Sequence, residues 1–189
     1  ARYEIPGSRL VIGGGVGSAA DWATLTARGV THCLCVTDPP DVGVPEELAL
    51  HAPIPDEGQP FPRDLLTRVV GYARKVLTGG GKLYLHCWVG ASRSPSFAYA
   101  VLREVYGMSG PDAVAAINTF YPYGVYGADP KHQSYMAGID EWLAGRVGVR
   151  ANPAGMSGTD YGTLRIAECL RGLGHSVTLR PVSAEAGTP

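Results

Sequence analysis

The sequence is poor in charge and contains no long apolar run. Charged residues make up 17% of its 189 positions, and the formal net charge at pH 7 is −1. A chain so close to neutral lacks the basic surface by which proteins bind nucleic acid or anionic membranes. No stretch approaches the roughly 20 consecutive apolar residues of a membrane-spanning helix. We therefore expect neither nucleic acid nor a membrane among its partners.

Cysteine is also scarce. The four cysteines are too few and too irregularly spaced for a disulfide framework, which fits a reducing compartment; they are Cys33, Cys35, Cys87 and Cys169. The opening segment ARYEIPGSRL has no apolar stretch of the kind found in secretory signals. These features predict a cytoplasmic location. Apolar residues still make up 45% of the chain, which is enough for a globular core.

Segments with strand and helix character alternate over the first 144 residues. Strands are predicted at 9–12, 30–36, 48–54 and 82–87, the last with apolar residues on alternate positions. Helices are predicted at 21–29, 61–81, 93–107, 109–121 and 131–144. Ser109 is the predicted N-cap of the helix at 109–121. This alternation predicts an α/β fold with a central, largely parallel sheet flanked by helices on both faces.

The composition changes near residue 145. Residues 145–159 are rich in glycine and proline and have the character of a linker, whereas 160–189 combine a one-faced helix with a short strand. The last segment is too short to bury a core of its own. We therefore predict a main domain over 1–144 and a C-terminal extension that packs on it or on a partner.

The segment HCWVGASRS, residues 86–94, links a predicted strand to a predicted helix. The backbone N–H groups of such a loop and of the first helical turn converge on one point, and this geometry binds a phosphate dianion. Gly90 permits the positive φ or the close backbone approach that the loop requires. Arg93 supplies a planar, bidentate clamp for two phosphoryl oxygens. The same positive field favours the thiolate of Cys87, which makes it a candidate nucleophile.

Other side chains complete the predicted loop. His86 orients it through its ring nitrogens, and Ser94 donates a hydrogen bond to the sulfur when the sulfur leaves phosphorus. An inert, buried Cys87 with Arg93 as a helix-start cation is the alternative, but an arginine at a helix N-terminus opposes the helix dipole unless an anion lies beside it. The predicted phosphate-binding residues are Trp88, Val89, Gly90, Ala91 and Ser92.

The pattern Cys-x5-Arg, preceded by His and followed by Ser, resembles the signature of the protein tyrosine phosphatase superfamily. A glycine at the third x and a serine before the arginine resemble its dual-specificity branch. The segments SRLVIGG, DWATLTARGVTHCLCVTD and YGMSGPDAVAAI are similar to the same branch, so the resemblance covers residues 5 to about 143. It implies a phosphatase catalytic domain over 1–144 that hydrolyses phosphotyrosine, and also phosphoserine or phosphothreonine, through a cysteinyl-phosphate intermediate. It implies neither a cofactor nor a metal.

The resemblance also implies a general acid on a separate loop, and the candidate is Asp56 in APIPDEGQP, which resembles the acid loop of the small, atypical members of that branch. The predicted topology agrees, because Asp56 follows one strand, Cys87 ends another, and a helix between two strands makes them parallel. Both residues then lie at the carboxyl edge of the sheet, where they can form one site. Glu57 is the second candidate for the acid.

Two other patterns compete with this interpretation. IGGGVGSAAD contains Gly15-x-Gly17-x-x-Ala20, and Asp38 follows the next strand, which is the spacing of a dinucleotide-binding fingerprint. This alternative leaves Cys-x5-Arg unexplained, and a simple glycine turn into the helix at 21–29 is favoured over it. A zinc site is not expected, because no Cys-x-x-Cys pair occurs among the candidate ligands His32, Cys33, Cys35, His51, His86 and Cys87.

Further alternatives concern the use of Cys87. A catalytically silent protein that only binds phosphate is one of them. A sulfurtransferase is another, although it has no use for the terminal arginine or for an acid. Cys33 and Cys35 point to one face of their strand and are assigned to core packing, while a redox partnership of Cys35 with Cys87 stays open.

The loop interior WVGAS contains no lysine or additional arginine, which disfavours phosphoinositides as substrates. Trp88 either shapes a wall of the pocket, where it stacks on a phosphotyrosine ring, or packs beneath the loop. Tyr121, Tyr123 and Tyr126 either line the rim of the cleft or pack in the core. The expected partners are therefore a phosphorylated protein or a small aryl phosphate, with phosphotyrosine favoured.

Overall fold

A five-stranded sheet lies at the centre of residues 2–146, the part of the chain that the computed structural model describes. The strands are β1 (Arg2–Glu4), β2 (Leu10–Gly13), β3 (His32–Cys35), β4 (Ala49–His51) and β5 (Leu83–His86). The α-helices are α1 (Ala19–Thr26), α2 (Arg63–Thr78), α3 (Arg93–Glu104), α4 (Gly110–Asn118) and α5 (Pro130–Ala144). The strand order is β1-β2-β5-β3-β4, in which only the β1–β2 pair is antiparallel. The predicted α/β fold with a largely parallel sheet is confirmed.

The described residues end within the predicted linker. The rest of that linker and the predicted extension at 160–189, which includes Cys169, lie outside them. Within residues 2–146, no helix is both long enough and apolar enough to cross a bilayer.

The predicted elements are found, with their ends shifted by a few residues. Helix α1 begins at Ala19, before the predicted start, because Ser18 Oγ accepts a hydrogen bond from the backbone N–H of Asp21 and so caps the helix. Ser109 caps α4 in the same way, as predicted. The sequence does not predict β1, because three residues at a sheet edge carry too little periodicity to be recognised.

Helices cover both faces of the sheet, as predicted. On one face, Trp22 and Leu25 of α1 pack against Tyr84 of β5. On the opposite face, Leu83 and Leu85 join the larger core with helices α2 to α5. All four residues of β5 are buried, since this strand is central and covered on both sides. The alternating pattern in this strand therefore separates two buried faces rather than a buried face from solvent.

The connection β4–α2–β5 is a crossover between parallel strands, so the carboxyl ends of β4 and β5 lie at one edge of the sheet. Asp56 follows β4 and Cys87 follows β5, which confirms that they share this edge. Strands β2 and β3, by contrast, are separated by β5. In a dinucleotide-binding fold the strands before and after the first helix are neighbours, so the alternative built on Gly15, Gly17 and Asp38 does not fit.

Candidate active site

The loop of residues 87–92, called here the Cys87 loop, leaves the carboxyl end of β5 and enters α3 at Arg93. Gly90 has a φ of +90°, a conformation that residues with side chains rarely adopt. A Cβ atom on Gly90 would also lie 2.6 Å from the carbonyl carbon of Gly13. The prediction that Gly90 provides positive φ or close approach is confirmed, and it provides both. The glycine-rich segment after β2 supports this loop, since Gly15 N–H donates to the Trp88 carbonyl at 3.2 Å.

The Cys87 thiol is only 2% exposed. Burial alone would raise its pKa, but hydrogen bonds from the Ser94 hydroxyl and from the backbone N–H groups of Ser94, Gly90 and Ser92 lower the pKa below its usual value. The Ser94 Oγ atom lies 3.4 Å from the sulfur. Backbone and side-chain donors therefore converge on the sulfur of Cys87, and this environment favours an anion there.

One side of the Arg93 guanidinium contacts backbone carbonyl groups of the protein. Its Nη1 donates to the carbonyl of Ile54 at 2.7 Å and lies 3.4 Å from that of Val36. Its Nε atom is buried and has no hydrogen-bond partner among residues 2–146. A buried donor without a partner is costly, and an oxygen of a bound phosphoryl group would satisfy it.

Asp56 lies against the Cys87 loop. Its Oδ1 accepts hydrogen bonds from Ser92 Oγ at 3.0 Å and from the Tyr135 hydroxyl at 2.9 Å. Lys131 Nζ is 3.5 Å from the same oxygen, and Arg93 Nε is 3.9 Å from the other carboxylate oxygen. Glu57, the second candidate, is exposed, and no hydrogen bond joins it to the described part of the chain. The structure therefore brings Asp56, and not Glu57, to the loop.

His86 connects the Cys87 loop to a residue that the sequence does not reveal, Asp41. The imidazole is fully buried, with Nδ1 3.1 Å from the Cys87 carbonyl and Nε2 2.6 Å from Asp41 Oδ2. Burial lowers the pKa of His86, but the hydrogen bond to Asp41, with help from Cys33 and Cys35, outweighs burial and raises the pKa. A protonated ring donates at both nitrogens, so His86 contacts both Asp41 and the carbonyl of Cys87, the first residue of the loop.

Asp41 has no recognisable motif around it, and only its position in the fold gives it a role. Burial raises the pKa of its carboxyl, but the hydrogen bond from His86 outweighs burial and lowers it. Its Oδ1 also accepts from the backbone N–H of Val16 at 3.2 Å. Asp41 thus joins the segment after β2 to the histidine that precedes Cys87.

The sequence matches no protein-family model and no curated protein. Its structure is similar to solved phosphatase structures. Human tyrosine phosphatase-like serine/threonine/tyrosine-interacting protein aligns over 76% of this chain and 95% of its own, with a TM-score of 0.61 and 21% identity. A variant of human DUSP28 aligns over 75% of this chain and 96% of its own, with a TM-score of 0.60 and 23% identity. PTPMT1 in complex with PI(5)P aligns over 76% of this chain and 97% of its own, with a TM-score of 0.60 and 17% identity.

This chain has the dual-specificity phosphatase fold.

Within this dual-specificity phosphatase fold, the three tyrosines after α4 divide into two roles. Tyr126 is fully buried, and its hydroxyl donates to Ser96 at 3.2 Å, so it packs in the core. Tyr121 donates to the Ala91 carbonyl, and Tyr123 donates to the Val89 carbonyl at 2.8 Å. Two of the tyrosines therefore hold the outer side of the Cys87 loop, a function that the sequence analysis did not assign.

Trp88 is 65% exposed, so the interpretation that it packs beneath the Cys87 loop is wrong. Its neighbour Val89 is also exposed. A large aromatic ring next to Cys87 is therefore available to a bound molecule, which leaves the wall of the pocket as the interpretation that fits.

Cys35 and Cys87 lie on opposite faces of the sheet. Cys87 belongs to the core under α2 to α5, together with Leu34 of β3. Cys33 belongs to the core under α1, and Cys35, two residues on, shares its face. The Cys35 thiol donates to the Thr37 carbonyl at 3.2 Å. The sheet therefore separates Cys35 from Cys87, which argues against a redox partnership between them.

Cys33, Asp41 and His86 form the one group among residues 2–146 whose side chains have the type and proximity of metal ligands. Cys33 and His86 are among the candidate ligands recognised from the sequence, whereas Asp41 is not. Nε2 of His86 and Oδ2 of Asp41 are 2.6 Å apart, whereas two ligands of a tetrahedral zinc ion lie about 3.3 Å apart when each bond is about 2.0 Å. The Cys33 thiol also donates to Asp41 at 3.3 Å. Hydrogen bonds account for this group.

Proposed function

We propose that this chain is a cysteine-dependent phosphatase that hydrolyses phosphate monoesters through a cysteinyl-phosphate intermediate. The observation that carries the proposal is the environment of Cys87, a buried thiol whose pKa is nevertheless lowered by donors of its own loop. A cysteine that only fills a core needs no such donors, because burial keeps it a neutral thiol. Donors that favour a thiolate are also suited to the oxygens of a phosphoryl group bound to it.

In the first step the Cys87 thiolate attacks phosphorus and forms a sulfur–phosphorus bond while the bond to the leaving oxygen breaks. The N–H groups of the Cys87 loop and Arg93 hold the other three phosphoryl oxygens. Arg93 suits this role because its Nη1 is fixed on Ile54 and its buried Nε still needs an acceptor. Asp56 donates a proton to the leaving oxygen, because an alkoxide or phenoxide departs poorly without one.

In the second step water attacks phosphorus and Asp56 accepts a proton from it. The sulfur–phosphorus bond breaks, inorganic phosphate forms, and the electron pair returns to the sulfur. Ser94 Oγ, 3.4 Å away, stabilises the departing thiolate by a hydrogen bond. Asp56 is then protonated again and Cys87 is again a thiolate, so both side chains have returned to their starting states.

Phosphotyrosine in proteins is the substrate class that we propose, with phosphoserine and phosphothreonine as further substrates. Residues 88–92 carry no charge, whereas a polyphosphorylated headgroup requires several cationic partners. Trp88 is exposed on the loop and offers an aromatic face to a phosphotyrosine ring. Both features favour an aryl phosphate.

The test is the hydrolysis of two aryl phosphates in the presence of a chelator. Phenyl phosphate has a poor leaving group, and para-nitrophenyl phosphate has a good one. We expect the wild type to hydrolyse both esters and Cys87→Ser to hydrolyse neither. Asp56→Asn should lose about 10²–10⁴-fold in rate on phenyl phosphate and less on the nitro compound, because only the poor leaving group depends on protonation.

Glu57→Gln is the matched control, because Glu57 adjoins Asp56 in the chain but is exposed and has no hydrogen bond to the Cys87 loop. Its rates should equal those of the wild type. A wild type that binds orthovanadate but hydrolyses neither ester from acid to neutral pH would be a phosphate-binding protein, and the catalytic proposal would be wrong. Activity that survives Cys87→Ser, or that the chelator removes, would contradict the mechanism.

A further inference from the structure

Large exposed apolar side chains are concentrated beside the Cys87 loop. Residues 2–146 contain six of them, and five lie on this loop or on residues 119–127, the first part of the connection between α4 and α5. We call these five the apolar rim: Trp88, Val89, Phe120, Tyr123 and Val125. The sixth, Val42, lies between β3 and β4. Exposed apolar patches of this kind mark binding surfaces, whereas single exposed residues such as Val42 need no explanation.

Hydrogen bonds hold the two parts of the apolar rim together. The Tyr123 hydroxyl donates to the Val89 carbonyl at 2.8 Å, and the Tyr121 hydroxyl donates to the Ala91 carbonyl. The rings of Tyr121 and Tyr123 are in edge contact, with centroids 5.5 Å apart. These contacts hold residues 119–127, the segment that carries Phe120 and Val125, against the loop proposed to hold phosphate.

The segment 119–127 is itself fixed on the domain. Asn118 Oδ1 accepts from the backbone N–H of Tyr126 at 2.7 Å, and its Nδ2 donates to the Tyr126 carbonyl at 3.1 Å. The Tyr126 side chain is fully buried beneath the segment. A surface held in this way is preorganised, so a ligand binds it without first having to order it.

Neither part of the apolar rim contains a charged side chain. Residues 87–92 (CWVGAS) and 119–127 (TFYPYGVYG) have no aspartate, glutamate, lysine or arginine. An acidic peptide or an anionic lipid surface would require lysine or arginine there. The chemistry of this surface fits an uncharged, apolar partner.

We propose that the apolar rim selects phosphotyrosine peptides whose residues beside the phosphotyrosine are aliphatic or aromatic. The inference rests on the proposed function, because it places the phosphate on the Cys87 loop and the neighbouring peptide residues on the bordering surface. Trp88, Phe120 and Val125 are then specificity-determining residues. They contact the peptide, whereas the thiol of Cys87, the guanidinium of Arg93 and the carboxyl of Asp56 contact the reacting atoms.

The test uses four phosphotyrosine peptides of one length, in which the residues on both sides of the phosphotyrosine are leucine, serine, lysine or aspartate. We expect kcat/KM for the leucine peptide to exceed that for the serine peptide about tenfold, the effect of burying one aliphatic side chain. The lysine and aspartate peptides should not exceed the serine peptide. Binding of the same peptides to Cys87→Ser, measured by fluorescence anisotropy, should follow the same order.

The double variant Phe120→Ser, Val125→Ser should lose this preference and keep the wild-type rate on para-nitrophenyl phosphate, which is too small to cover the apolar rim. Val42→Ser is the matched control, because Val42 and Val125 are 63% and 65% exposed. It should keep the preference. Since all three side chains are exposed, thermal melts should show that each variant folds.

Three results would overturn the proposal. The first is equal kcat/KM and equal binding for the leucine and serine peptides, and the second is a preference for charged flanks. The third is binding to phosphatidylcholine vesicles that the double variant loses while peptide selection is absent, which would make the apolar rim a membrane contact. A wild type inactive on every ester would instead contradict the proposed function, and peptide binding to Cys87→Ser would still decide the role of the apolar rim.

Discussion

Two buried cysteines on neighbouring strands of the sheet have opposite properties. Cys33 in β3 is fully buried, and burial raises its pKa to about 11. Cys87 at the end of β5 is almost equally buried, yet hydrogen bonds outweigh burial and lower its pKa. One thiol is held neutral, and the anion of the other is favoured. Burial by itself therefore does not determine the reactivity of a cysteine in this fold.

The difference in pKa between the two thiols comes from the position of each cysteine relative to its strand. Cys33 lies inside β3, between β4 and β5, where the backbone N–H groups are used by the sheet. Its polar neighbours have opposite effects, because His86 lowers the pKa of the thiol and the Asp41 carboxylate, 3.3 Å away, raises it, and burial outweighs the effect of His86. Cys87 comes directly after β5, where the chain leaves the sheet and N–H groups of the following loop turn to the sulfur. The end of a strand supplies donors that its interior does not.

The largest effect on stability is expected from Asp41→Asn. Asp41 contacts Cys33 and also contacts His86, the residue that precedes Cys87. Removing one member of a buried ion pair leaves the other uncompensated and costs about 3–5 kcal/mol of the free energy of unfolding. Urea denaturation of wild type and variant measures this loss. The Cys87 loop should also lose its anchor, so the proposed phosphatase activity should fall.

This loss of stability should depend on pH. The pKa of His86 is raised in the folded state, so its contribution is complete below about pH 6.5 and is lost as pH rises through the folded value. The pKa of Asp41 is lowered, so its contribution is complete above about pH 3.9 and is lost as pH falls through the folded value. The difference between wild type and variant should therefore be greatest between about pH 4 and 6.5.

Asp38→Asn is the control for that experiment. Asp38 lies on the same loop as Asp41, but its side chain is 74% exposed, and its pair with His51 is a surface pair. Its substitution should change stability little. Equal losses for both variants, or a difference that does not vary with pH, would show that the buried pair does not stabilise the fold as proposed here.

The second prediction compares the two thiols directly. Site-resolved mass spectrometry should show iodoacetamide modifying Cys87 at least about 100-fold faster than Cys33 at neutral pH, because the raised pKa of Cys33 lowers its thiolate fraction by about that factor. Orthovanadate should slow the modification of Cys87 alone. In urea the two rates should converge, since both environments are lost. Similar rates in the folded protein would contradict the inference that the pKa values of the two thiols differ.

The third and smallest effect is expected from Ser94→Ala, which removes the hydroxyl beside the Cys87 sulfur. A hydrogen bond to a charged group contributes about 1.5–3 kcal/mol, so the pKa of Cys87 should rise by about 1–2 units. The pH profile of its alkylation should move to higher pH by the same amount.

Ser96→Ala provides the comparison for that variant. Ser96 is also a buried serine of α3, but its hydroxyl donates to the Ser92 carbonyl and accepts from Tyr126. Its substitution should leave the profile of Cys87 in place. An unchanged profile in Ser94→Ala, or equal shifts in both variants, would show that the Ser94 hydroxyl does not stabilise the thiolate.

Much of the site could be predicted because it is local in sequence. The Cys87 loop is contiguous, so the need for glycine at Gly90 follows from the backbone turn alone. Asp56 is distant in sequence, but the right-handed crossover between parallel strands places it at the same edge as Cys87. The fold class follows from the alternation of strand and helix patterns. Each of these predictions depends on backbone geometry that a short segment, or one crossover, already specifies.

The contacts made by isolated residues could not be predicted in this way. Asp41, Tyr121 and Tyr135 reach the site from three separate segments, and none lies in a recognisable pattern. Nothing in the local sequence distinguishes Asp41, whose carboxylate is buried, from Asp38, whose carboxylate is exposed on the same loop. Strand β1 and the burial of β5 on both faces likewise depend on which elements become neighbours.

The sequence by itself determined the α/β fold, the turn at Gly90, the order of Cys87 and Arg93 around the loop, and the shared sheet edge of Cys87 and Asp56. These properties arise from backbone conformation and from the rule for parallel crossovers. Only the tertiary structure decided that Asp41 holds His86 and that Cys33 and Cys87 differ. Those outcomes depend on burial and on hydrogen bonds between distant segments, and both exist only after the chain has packed.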